Sequence, residues 1–213
     1  MQTTAHREQP HGLHERAISA LLRLIDDRDA RLPSLDEVAR SINEPPARLN
    51  DIYDDNRALL ITSIEQSLIL LMDTCTRAVV KVDPKDPFAQ FIALGNAYLD
   101  WADRHRIEFR MMSDGGVPHL LQVPSLRRYV DSLTELMTRM MTRARDEGQL
   151  HPREDIALLV LSSRSYAYGL ARMLVDGRMA EWAPERPPLA TAKMLTLDFV
   201  TRIARSSKVT ATA

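Results

Sequence analysis

A chain of 213 residues, 45% hydrophobic and with only 7 glycines, has enough apolar material for one large domain or a small one joined to a larger. That composition excludes a disordered chain, and the single cysteine, Cys75, excludes an internal disulfide and argues against a cysteine metal site. The formal net charge of -1 hides an acidic start: residues 1–60 carry eight arginines, no lysine and eleven acids, which excludes strong non-specific DNA affinity unless those arginines share a face.

An aromatic share of 5% beside plentiful Leu, Ala, Met and Arg favours helix over strand throughout. The opening MQTTAHREQPHG has no apolar signal core, and no run of about 18 apolar residues is expected to cross a membrane. These features predict a cytoplasmic protein, a compartment that suits a lone thiol.

Residues 1–10 are polar and patternless and predict a flexible tail. From Leu13, apolar positions recur at Ala17, Leu21 and Ile25, with Ile18 and Leu22 beside them, a one-sided helix stripe that Pro33 ends. Ser34 with Glu37 forms a capping box opening a helix from Leu35 to Ile42, and Asn43 suits a left-handed cap after it. Pro45-Pro46 fits the first turn of a further short helix whose apolar face is Leu49, Ile52 and Tyr53.

Asp54-Asp55 then precede a long helix, about 56–82, with the stripe Leu60, Ile64, Leu68, Leu71, Cys75 and Val79. Further helices are expected at about 87–104, 106–113, 125–147, 153–177 and 188–206, separated by DGGVP, EGQLHP and APERPP. The ending SSKVTATA lacks a stripe and predicts fraying. The reading is all-α, with about nine helices.

Two short helices with a tight break, running into a long one, outline a helix-turn-helix. Residues 13–60 resemble the DNA-binding head of TetR-type transcriptional regulators, matching at Val38-Ala39, Asn43, Leu49, Tyr53 and Ala58-Leu59-Leu60. The DNA-facing positions depart from that pattern: Asn50 stands at the usual tyrosine, Ile52 at a histidine, Asn56 at a lysine, and Pro45-Pro46-Ala47-Arg48 opens the reading helix. Farther on, Tyr98, Trp101-Ala102, His105 and Phe109-Arg110 resemble a ligand-domain motif of one large TetR subgroup, as does Tyr168-Gly169-Leu170-Ala171.

That resemblance implies a tail at 1–10, a helix-turn-helix domain at 11–60, a ligand-binding and dimerisation bundle at 61–206 and a second tail at 207–213. It implies a ligand-responsive regulator that binds operator DNA as a homodimer. The altered contact positions leave an alternative, a TetR-like helical dimer that has lost ordinary DNA binding and serves as a small-ligand or protein-partner module. The DNA face would take Ser34, Pro46, Ala47, Arg48, Asn50, Asp51, Asn56 and Arg57, with Arg48 able to reach a guanine edge.

An internal site for a small apolar or amphipathic ligand would draw on Tyr98, Trp101, Phe109, Met112, Leu133, Met137, Met140, Met141, Arg164, Tyr166 and Tyr168. Arg164 stands out because a buried guanidinium needs an anion; a methionine stripe at helical spacing is more often plain core. The dimer interface would use Ile156, Leu159, Val160, Gly169, Leu170, Leu174, Leu195, Phe199 and Ile203, with mid-helix Gly169 read as a point of close helix approach.

An enzyme is not expected. The six histidines do not cluster at ligand spacing, and no HExxH, phosphate loop or GxSxG occurs. No cofactor, metal or membrane partner is expected either.

Overall fold

The computed structural model describes residues 12–26, 32–114 and 122–209, with side chains up to 204. All ten elements among them are helices: α1 Leu13–Asp26, α2 Leu35–Ser41, α3 Pro46–Asn50, α4 Asn56–Val79, α5 Pro87–Arg104, α6 Arg106–Ser113, α7 Pro124–Asp146, α8 Ile156–Val175, α9 Arg178–Trp182 and α10 Pro188–Val209. Residues 1–10, His11, His119 and the end of the second expected tail lie outside the described residues. Ser207 to Val209 of that tail continue α10.

Contacts divide the chain into two compact units, one of Met1–Ile64 with Met111–Pro118, the other of Glu65–Arg110 with His119–Ala213.

In the first unit, local chemistry sets the helix ends. The Ser34 hydroxyl accepts from the Glu37 amide at 3.2 Å while the Glu37 carboxylate accepts from the Ser34 amide at 2.8 Å, so two orphan donors of α2 are satisfied. Asn43 takes φ 55, the left-handed region its short polar side chain tolerates. Its amide bonds Arg40, and the Glu44 amide bonds Ala39, a Schellman closure of α2. Asp55 Oδ1 accepts from the Ala58 amide at 2.7 Å and opens α4. Ala17, Leu21, Val38, Ala39 and Leu49 are wholly buried and form the centre of this unit.

One expectation here is corrected. Ile52 is 47% exposed rather than part of the inner face, because α3 ends at Asn50 and the chain then turns, aiming Tyr53 inward instead.

In the second unit α5 is central, packed by α7, α8 and α10. Asp86 Oδ1 caps it through the Ala89 amide, with Pro87 at a position that needs no N–H. At Gly95 an added Cβ would come 3.1 Å from Thr196 Cγ2, so α5 and α10 approach closely there. Asp155 caps α8 through the Leu158 amide at 3.0 Å, which moves its start to Ile156 from the expected 153.

Helix α9 has no counterpart among the expected elements. Gly177, at φ 79, ends one helix and serves as the N-cap of the next, so a stretch that reads as one helix terminus holds two elements. By length and mean composition α4 is apolar enough to cross a bilayer, though it carries Glu65 and Asp73 and is no unbroken apolar run. Its buried stripe of Leu60, Ile64, Leu68, Leu71, Cys75 and Val79 is that of a core helix.

Candidate functional site

Helix α3 presents one side to solvent. Leu49 is wholly buried, while Pro46, Ala47, Arg48, Asn50 and Asp51 are exposed, so the helix is anchored by a single leucine and its outer edge is free. Arg57, at the start of α4, is exposed too. Ser34 and Asn56 have structural bonds: Ser34 closes the capping box, and Asn56 Oδ1 accepts from the Leu35 amide at 2.9 Å. That bond ties the start of α4 to the start of α2.

Two acids of this head have structural partners. Glu44 is paired with Arg16 and partly buried, and Asp55 is committed to its cap. Arg40, Arg48 and Arg57 are exposed, as are Asp36, Asp51, Asp54 and Asp55. A depression of about 310 Å³ lined by Arg16, Ser19, Arg23, Ser41 and Ile42 also lies in this unit, with one of its two arginines held by Glu44.

Residues expected around a ligand divide into several groups. Trp101, Phe109, Met137, Met140 and Met141 are buried in the bundle, and Leu133 is half-buried. Phe109 lies against Tyr168 with ring centroids 5.9 Å apart. Arg164 is half-buried on α8, and its Nη1 donates to Thr134 Oγ1 on α7 at 2.6 Å. Burial pushes the Tyr98 phenol well above its usual range, the nearby Tyr168 phenol and Cys75 thiol push it further, and the Arg164 guanidinium opposes them.

Tyr166 stands apart from this group. It stacks on Phe199 of α10 at 4.5 Å, and its hydroxyl donates to the Leu195 carbonyl at 3.4 Å. Met112 groups with the first unit instead of the bundle. Thr134, which holds Arg164, was missed by the sequence reading; its only signal is that it shares a helix face with Met137 and Met141.

The expected dimer residues are corrected in part. Ile156, Leu159, Val160, Leu170 and Leu174 are 7% exposed or less, since they form the flank of α8 that packs on its own chain. Leu195, Phe199 and Ile203 are half-buried. Exposed apolar side chains lie on the other flanks: Leu158 and Leu161 on α8, Met194 and Leu197 on α10. Gly169 has open space where a Cβ would stand, so no close approach within the chain explains it.

Three of the histidines have hydrogen-bond partners. His14 bonds Tyr53, His105 bonds Glu108, and His151 accepts from the Arg153 amide. Among the described residues no group of three or more His, Cys, Asp or Glu is placed to hold a metal ion.

No curated protein matches the chain in sequence. Solved structures do match in fold. One is a protein of unknown function from Rhodococcus sp. RHA1, at TM-score 0.75 and 23% identity, covering 92% of this chain and 100% of that one. Another is the TetR family transcriptional regulator PfmR from Thermus thermophilus, at TM-score 0.67 and 18% identity, covering 88% and 97%. A third is the ketosteroid transcriptional regulator KstR2 of Mycobacterium tuberculosis, at TM-score 0.66 and 14% identity, covering 93% and 96%. At such identities these show the fold. The model of the tetracycline repressor-like C-terminal domain matches residues 91–197, half of the chain. The chain belongs to the TetR family of transcriptional regulators.

Proposed function

We propose that this regulator reads operator DNA as a homodimer through α3, and that a small apolar or amphipathic ligand held in its bundle alters that reading. The observation that carries the proposal is the exposed edge of α3, with Arg48 in solvent at its centre and Leu49 anchoring the opposite side. An exposed arginine on such a helix can bond a guanine edge in two places.

We assign residues 11–60 to DNA reading and 61–206 to ligand binding and pairing. For the pairing surface we propose the exposed flanks of α8 and α10, Leu158, Leu161, Met194 and Leu197 around the open space at Gly169. Apolar side chains left in water on adjoining helices are stabilised by a second copy. Work on DNA places the protein in the cytoplasm.

The test is fluorescence anisotropy with a duplex taken from upstream of the protein's own coding sequence, at two salt concentrations. Binding of modest affinity with a shallow salt slope is expected, because few phosphates meet a base. No binding even at low salt would overturn the DNA reading and leave a helical dimer that serves ligands or protein partners.

A further inference from the structure

We propose that Arg164, with Tyr98 beside it, receives the carboxylate of an amphipathic monocarboxylic acid whose apolar part lies against α5 and α7. This rests on the ligand-binding half of the function proposed above.

Other arginines of the bundle have carboxylates to hand: Arg128 has Glu65, Arg139 has Glu135 and Arg172 has Asp176. Arg164, half-buried, has none among the described residues. Its bond is to Thr134, whose own hydroxyl proton goes to the Val130 carbonyl at 2.8 Å. Thr134 can therefore only accept from Arg164, and one neutral hydroxyl engages one of five guanidinium N–H groups. A charge drawn partly out of water and left with such a partner is completed by a carboxylate, which takes two parallel N–H bonds.

Tyr98 supplies the matching donor. Its phenol carries its proton at neutral pH, and its hydroxyl forms no hydrogen bond among the described residues, so its O–H is available to a carboxylate oxygen. Trp101, one turn along α5, is wholly buried with Nε1 unpartnered among the described residues, a second donor on the same side of the helix.

Beyond Thr134 the same face of α7 continues with Met137 and Met141, both buried. One cation and two neutral donors beside methionine and aromatic walls suit a ligand with a single acidic end and an apolar remainder.

The experiment compares octanoate and 3-phenylpropanoate with their primary amides, which match them in size and lack the charge. Binding to the full chain is followed by thermal shift and calorimetry, beside the duplex assay described above. At least one acid is expected to bind about tenfold more tightly than its amide. Arg164→Gln is expected to erase that preference, and Tyr98→Phe to weaken the acid about fivefold and the amide, whose carbonyl is a weaker acceptor, by less. Should Arg164→Gln fail to fold by circular dichroism, Tyr98→Phe decides.

Equal binding of acid and amide, an acid untouched by the substitutions, or no binding of either acid overturns the proposal. Duplex binding in that case leaves the regulator reading standing; acid binding without duplex binding overturns the DNA reading alone.

Discussion

The Tyr53 hydroxyl lies 2.6 Å from Nδ1 of His14, and the two rings stack 5.8 Å apart at 20°. The bond joins the turn after α3 to the first turn of α1, so the element that carries Arg48 is held to the far end of the same unit. Tyr53→Phe keeps the ring and removes the bond. A loss of about 1 kcal/mol is expected, read as a lower urea midpoint with an unchanged slope. An unchanged midpoint would show that the stacking alone holds the turn.

Arg48→Ala removes the central exposed base of α3 without touching Leu49. If Arg48 reads a base, affinity for the upstream duplex falls by about 1–3 kcal/mol and discrimination at one base pair relaxes. A uniform small loss across all duplexes, with the salt slope reduced, would assign Arg48 to phosphate instead. Competition with singly substituted duplexes separates the two.

On α8, Leu161 and Leu170 face opposite ways, at 61% and 5% exposure. Leu161→Glu should therefore yield a folded monomer in sedimentation. Leu170→Ala should instead destabilise the fold by about 2–5 kcal/mol, the usual cost of emptying a core site. Gly169→Ala adds a methyl where the chain itself leaves space, and helix propensity alone favours it by about 1 kcal/mol. A weaker dimer with a more stable protomer would place Gly169 at the pairing surface.

Burial pushes the Cys75 thiol from 9.0 up to about 12. The unfolded thiol ionises above 9.0 while the folded one keeps its proton to about 12, so this group's contribution is full below 9.0 and is lost as pH rises through that window. Cys75→Ala should flatten the alkaline fall in stability while costing some core packing. At pH 8 the native thiol should resist a disulfide reagent that reacts at once in urea, measured by absorbance.

Features set by a few neighbouring residues were legible in the sequence. The Ser34–Glu37 box, the left-handed Asn43, the Asp54-Asp55 entry to α4 and the Pro87 start of α5 each depend on atoms within about one helical turn, so the order of residues determines them. The stripe from Leu60 to Val79 was legible for the same reason, since period alone places those residues on one face.

Tertiary structure decided which side of an element faces what. Helix α8 is apolar on more than one flank, so its period could not tell the core flank of Leu159 and Leu170 from the exposed flank of Leu158 and Leu161. Glu44 reads as an acid beside the recognition helix until the fold brings Arg16 to it, across 28 residues. Arg164 meets Thr134 across 30 residues, while among the described residues the same packing brings it no carboxylate. By itself the sequence determined most of the helices and several of their caps, which are local hydrogen-bond and period effects. Only the packed chain decided which charges are spent internally and which remain free, because that depends on distances between residues far apart along it.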